Sequence, residues 1–206
     1  MATDDRALPL RERKRIRTRR ALADAALRLF TEKGFAATTV EEVVDAAEVS
    51  RSTFFRAFPT KEDVAIEAET ELWTSYLETL ADREPAGPIL AGLRDALIDT
   101  ALALPQDWDQ RYVATRRLIL TAPSLLGHVG YTRSGVRKQI AAQLADTLDL
   151  PGDDLRPRIL AEMTTAAWSI AGRDWVAADG DGGRPGLLDR LRDAFTAIPD
   201  ALRLTA

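Results

Sequence analysis

The sequence predicts an all-α protein. Apolar residues recur at helical spacing from end to end. Alternating runs of β-branched residues, the mark of strands, do not appear. Ser or Thr opens many of the periodic stretches, and Gly or Pro closes them. About nine helices are expected on these signals. They form a small N-terminal unit in residues 1–60 and a larger helical body in residues 61–206.

The first helix is expected over residues 10–33, because Leu22, Ala26, Leu29 and Phe30 make one apolar stripe. Gly34 is placed to close it in the left-handed conformation. Thr39 and Glu42 have capping-box spacing, and Val40, Val43, Val44 and Ala47 give the next helix one buried face. Glu48 and Val49 make a turn. Ser50 is the following N-cap, with Val49 and Phe54 at the staple positions. That helix, residues 51–58, stops at Pro59, and Thr60 with Asp63 caps a further start. Two short capped helices joined by a tight turn make a helix-turn-helix. The pair buries too little by itself, so it requires the first helix and the one after it.

A long helix follows over residues 61–81, with Ile66, Trp73, Leu77 and Leu80 on one side and Leu72 and Tyr76 beside them. REPAGP, residues 83–88, breaks it. Further helices are expected over residues 89–104, 108–121, 124–150, 155–178 and 187–204. The helix over residues 124–150 has a weak spot at Gly127 and Gly130, and GDGGRPG, residues 180–186, reads as a flexible loop.

Charge is uneven. Residues 1–60 hold 12 Lys and Arg against 9 Asp and Glu, and residues 61–206 hold 16 against 23. RERKRIRTRR, residues 11–20, concentrates seven cations with one acid. A basic front on an acidic body suggests that the front meets a polyanion. On charge alone, a solvated helix end accounts for the run equally well. Cysteine is absent, which excludes disulfides and thiolate metal sites. With one histidine, no HExxH spacing and no phosphate-cradling glycine loop, neither a metal nor a cofactor is expected. The chain has no apolar run of membrane-spanning length and no secretory leader pattern, so the expected location is the cytoplasm.

A helix-turn-helix offers the first residues of its second helix to base edges in the major groove of double-stranded DNA. Here those residues are Ser50, Arg51, Ser52 and Thr53. Arg51 suits a bidentate bond to guanine, and Ser52 and Thr53 suit a base or a phosphate. Thr39 and Lys61 stand at helix starts with donors for phosphates. Arg17, Arg19 and Arg20 of the basic run suit backbone or minor-groove contact. Such helix pairs also serve as plain packing units. Three consecutive caps behind a basic arm make DNA binding the stronger reading.

Residues 11–64 resemble the DNA-binding domain of TetR-family transcriptional regulators. The words that carry the resemblance are ALRLFTEKGFAATTVEEVV and AAEVSRSTFFRAFPTKEDV. It implies a homodimer with a helical C-terminal ligand-binding and dimerisation domain. Such a protein is usually a repressor that leaves a palindromic operator when a small molecule binds. By position, the resemblance makes Thr39 and Lys61 phosphate contacts and Arg51, Ser52 and Thr53 base-reading residues. Phe55 sits where the family often has a DNA-contacting tyrosine, and it lacks the hydroxyl. Ala57 replaces a common phosphate-contacting histidine, Glu48 the usual turn glycine, and Glu41 would repel a nearby phosphate. STFFRAFPTKEDV and DQRYVATRRLI also resemble a subgroup with an acyl-coenzyme-A-like ligand domain, related to mycofactocin-cluster regulators.

In the body, Trp73, Tyr76, Leu93, Leu97, Trp108, Tyr112, Ile119, Met163 and Trp168 are candidate pocket residues, each of a type that more often is plain core. Arg116 is the candidate partner for an anionic ligand group, and His128 reads as a loop residue. Self-association is expected through residues 155–204, where Ala161, Ala166, Ala167 and Ala171 allow close approach and Trp168 and Trp175 could anchor a partner. Two functions compete with the regulator: a coenzyme-A-related helical enzyme, and a polyanion binder blind to sequence.

Overall fold

The computed structural model describes residues 9–205. Among the described residues it has ten helices and no strand. They are α1 (Leu10–Lys33), α2 (Val40–Ala46), α3 (Arg51–Ala57), α4 (Lys61–Ala65), α5 (Glu67–Ala81), α6 (Ile89–Ala103), α7 (Trp108–Thr121), α8 (Pro123–Thr147), α9 (Leu155–Ala177) and α10 (Gly183–Ala201). None of the described helices is long and apolar enough to cross a membrane.

Two compact units result. The first joins the described residues through Thr70 to Gln110–Val129, and the second joins Glu71–Asp109 to the chain from Gly130 onward. Packing thus divides the chain differently from the expected boundary at residue 60. In the first unit, Leu22, Ala26 and Phe30 of α1 enclose Val43, Val44, Phe54 and Phe58. Leu118, Ile119, Leu125 and Val129 complete that core from a segment distant in sequence. In the second unit α9 and α10 pack on each other and on α6.

Four expectations are corrected. The helix expected over residues 61–81 is two helices, because Ile66 leaves helical geometry (φ −105°, ψ 18°) with its side chain 1% exposed in the core. No Gly or Pro marks that break. Gly34 does close α1, but with φ 87° and ψ 152°, an extended positive-φ region open essentially to glycine alone and not the left-handed helical one. Gly127 and Gly130 do not interrupt α8, which starts at Pro123 and carries His128 within it. The stretch at residues 180–186 is an ordered turn that runs into α10. Gly180 and Gly182 take φ of 76° and 74°, and a Cβ at Gly186 would lie 2.5 Å from the Asp181 carbonyl oxygen. Arg184 fastens the turn, donating to Asp109 and to the carbonyls of Ala101, Leu104 and Pro105.

Candidate nucleic-acid interface

Caps determine which side chains of the helix-turn-helix face out. Thr39 accepts from the Glu42 amide while Glu42 accepts from the Thr39 amide, and Thr60 and Asp63 repeat that reciprocal box at α4. Ser50 accepts from the Thr53 amide and starts α3. The turn between α2 and α3 is a full Schellman arrangement: Val49 N–H reaches Val44 O at 3.0 Å and Glu48 N–H reaches Asp45 O at 3.2 Å. Glu48 occupies its left-handed position with φ 53°. The strain expected for a residue other than glycine is therefore present.

With the start of α3 fixed, Phe54 points into the core at 0% exposure. Arg51, Ser52, Phe55 and Arg56 are exposed on the opposite face. The ring of Phe55 rests edge-on against Phe54, with centroids 5.2 Å apart. Arg51 lies over the Phe55 ring at 5.5 Å, and its Nη1 donates to Glu41 Oε1 at 2.5 Å. That bond leaves the Nε–Nη2 edge of the guanidinium for a bidentate acceptor such as a guanine. Thr53 is half-buried and takes part in the Ser50 hydroxyl cluster, with Oγ1 2.9 Å from Ser50 Oγ. The outward side of α3 is open within its unit.

The remaining cations divide by what they touch. Arg11, Lys14 and Arg17 are exposed at three-residue spacing along α1. Arg20 pairs with Asp24 one turn on. Arg19 turns inward. It grips Glu67 through Nε and Nη2, donates Nη1 to the Ala57 carbonyl at 2.5 Å, and stacks 4.2 Å over Phe58. Lys61 donates Nζ to the carbonyls of Phe35 and Thr38, both at 2.9 Å, and sits 4.2 Å over Phe35. Arg19 and Lys61 are thus fasteners within the first unit, whereas Thr39 and Arg17 are exposed. Arg56 was missing from the expected set, although it follows Ser52 by one helical turn. The pairing of Glu41 with Arg51 had no sequence signal, because it joins two helices.

The expected ligand residues fall in both units. Trp73, Tyr76, Leu93, Leu97, Trp108 and Trp168 are buried in the second, where Met163 is half-buried. Tyr112, Arg116 and Ile119 belong to the first, and Ile119 is part of its core. Arg116 donates to Glu69 at 2.8 Å, with side chains 14% and 3% exposed, so its charge is already matched inside the protein. Trp168 and Trp175, expected as anchors for a second copy, are buried within their own unit at 0% and 1% exposure. His128 lies 2.8 Å from Asp63, the carboxylate that closes the α4 box.

A capped three-helix head with a reading helix whose first residues face outward defines a helix-turn-helix DNA-binding protein. Residues 22–68 match the family described as bacterial regulatory proteins, tetR family, and residues 87–203 match the MftR C-terminal domain. The chain is 32% identical to the HTH-type transcriptional regulator TcmR of Streptomyces glaucescens over 203 residues, covering 94% of this chain and 86% of that one. The fold resembles that of the fatty acid degradation regulator FadR of Bacillus halodurans (TM-score 0.60, 18% identity, covering 91% of this chain and 97% of that one). It also resembles a transcriptional regulator of Aquifex aeolicus (TM-score 0.54, 17% identity, covering 88% and 99%). The chain belongs to the TetR family, and it is a DNA-binding transcriptional regulator.

Proposed function

We propose that this regulator binds a palindromic operator as a homodimer in the cytoplasm and is released as a small molecule binds its second unit. It acts by binding, not by turnover. The observation that carries the reading is the outward face of α3, where Arg51, Ser52, Phe55 and Arg56 stand exposed above a buried Phe54. Arg51 reads a guanine, Ser52 and Phe55 meet a base edge or thymine methyl, and Thr39, Arg17 and Arg56 take phosphates. Dimerisation through residues 155–204 is supported by an exposed stripe on α9, with Ile159 50% and Ile170 46% exposed and Ala166 between them. Two-fold symmetry then sets the reading helices about 34–36 Å apart.

An acyl-coenzyme-A-like effector is the finer form of this reading. It rests on the resemblance of STFFRAFPTKEDV and DQRYVATRRLI to the subgroup with such a ligand domain, and the match of residues 87–203 to the MftR C-terminal domain agrees with the related mycofactocin-cluster regulators. Its phosphates would need cations other than Arg116, which Glu69 already holds. Release is a population shift between states of different operator affinity. The chain passes between its two units within α5, α7 and α8, which makes those helices the covalent routes for the signal.

The test is competition at one fixed salt concentration. A palindrome selected from random duplexes should outcompete bulk DNA by at least about a thousandfold. Equal affinity would leave a sequence-blind polyanion binder. Sedimentation of the complex should give two chains per duplex, and a single chain would remove the homodimer.

A further inference from the structure

In the second unit, the end of α5, the turn after it, the start of α6 and the end of α8 enclose a cavity of ≈ 210 Å³. Leu80, Ile89, Leu93 and Leu144 give it apolar walls. Of the residues expected to meet a ligand, only Leu93 lines it.

Three features set it apart from a packing defect. Gly92 lies inside α6, where glycine weakens a helix and no positive φ requires it. A Cβ built there meets nothing within 4 Å, so what the glycine preserves is space. Gln143 also lines the cavity. Its Nε2 donates to the Leu77 carbonyl at 3.3 Å, and its Oε1 is buried with no hydrogen-bond partner. Exchanging the two amide atoms would set oxygen against oxygen, so the acceptor is the group left without a donor. Finally, of the three charged side chains in the lining, Arg83 pairs with Asp99 at 2.9 Å, Asp95 pairs with Arg94 at 2.8 Å, and Glu84 is exposed to solvent. No buried charge there calls for an ionic ligand.

We propose that this cavity binds an uncharged, ring-containing molecule that donates one N–H or O–H to Gln143 Oε1. An apolar cavity of about 150 Å³ holds benzene. The larger volume here admits a fused two-ring body. A buried acceptor discriminates strongly against an isostere that brings no donor, because the acceptor then stays unsatisfied. The proposal deepens the effector reading given above, and it relies on that reading only for what binding does at DNA.

Indole and benzofuran are the test pair, since they share a shape and differ in the N–H. Each is titrated calorimetrically into the full chain. Indole should bind at millimolar concentration or tighter, and benzofuran about tenfold more weakly. In Gln143→Leu the ratio should fall to about one. Gly92→Leu should bind neither, and it should melt no lower than the parent, because leucine is the better helix former. Equal binding of the two probes to the parent chain would overturn the proposal, as would no binding or undiminished binding to Gly92→Leu. The parent ratio decides even where a variant folds poorly. Operator affinity with indole at saturation separates the two readings. If it is unchanged, the site stands and is not the effector site.

Discussion

The outward face of α3 and the aromatic cluster of the second unit use the same residue types in opposite ways. On α3, Phe55 is 43% exposed and rests on a buried neighbour. In the cluster, Trp73 meets Tyr76 edge-on at 5.8 Å and Trp168 at 6.2 Å, and Trp108 meets Trp168 at 6.2 Å. All four of those rings are 2% exposed or less. An aromatic side chain does not announce its role by its type. Its register against a helix start does. Ser50 fixes where α3 begins, and that alone sends Phe54 inward and Phe55 outward.

The sharpest way to break this contrast is truncation. Trp168→Ala should cost about 3–5 kcal/mol of unfolding free energy by urea titration, through lost burial and a cavity. Phe55→Ala should change stability by less than about 1 kcal/mol and instead weaken operator binding. A Trp168→Ala loss as small as that of Phe55→Ala would mean the cluster lines a space instead of filling one.

The same contrast runs through the basic segment. Arg19→Ala removes the grip on Glu67, the Ala57 carbonyl and the Phe58 ring, and should destabilise the first unit by about 2–3 kcal/mol. Arg17→Ala should leave stability untouched and lower the salt slope of DNA binding by about one unit. If Arg19→Ala instead changed the slope with no loss of stability, its side chain would be turned to the duplex and not to Glu67.

Arg51→Ala should cost about 1–3 kcal/mol of operator binding per half-site and relax one base position. Glu41 tests how the arginine is held. Alone, Glu41→Ala should raise affinity for all sequences by removing a negative charge, while reducing discrimination at the Arg51 base. In an Arg51→Ala background, it should no longer affect discrimination. Unchanged discrimination in the single variant would mean that Glu41 does not orient Arg51.

These cases separate what the amino-acid sequence made legible from what it did not. Caps are local, because Thr39, Ser50 and Thr60 each bond an amide three residues on, so their spacing alone located α2, α3 and α4. Exposed positions of α3 followed from that register. Long-range partners leave no such trace. Lys61 reaches carbonyls 26 and 23 residues away, and Arg19 reaches Glu67 across 48, so both looked like free cations. The break at Ile66 is likewise set by tertiary burial and not by a local breaker. The cavity beside Gln143 was invisible because a missing hydrogen bond is a property of surroundings, not of residue type.

Smaller effects sharpen the picture at the turn. Glu48 holds a conformation that costs an L-residue more than glycine, so Glu48→Gly should gain up to about 1 kcal/mol, offset in part by the greater freedom of glycine in the unfolded chain. Differential scanning calorimetry should show a modest rise in Tm. A fall would mean that the Glu48 side chain supplies more than the strain removes.

The least effect expected is one of pH, and it distinguishes α2 from α3. The cap of α2 includes a carboxylate, and that of α3 is a hydroxyl. Lys33 bonded to Glu42, and then the Thr39 amide, hold the Glu42 carboxyl below its ordinary value of 4.5. A depressed folded pKa means that the unfolded chain takes up the proton first as pH falls. The stabilisation is therefore complete above the ordinary carboxylate range and fades as pH drops through the lowered value. Amide exchange should show α2 loosening in that acid window before α3 does, and Glu42→Gln should remove the difference. Were both helices to loosen together in the parent chain, the acid response would belong to the unit as a whole and not to this cap.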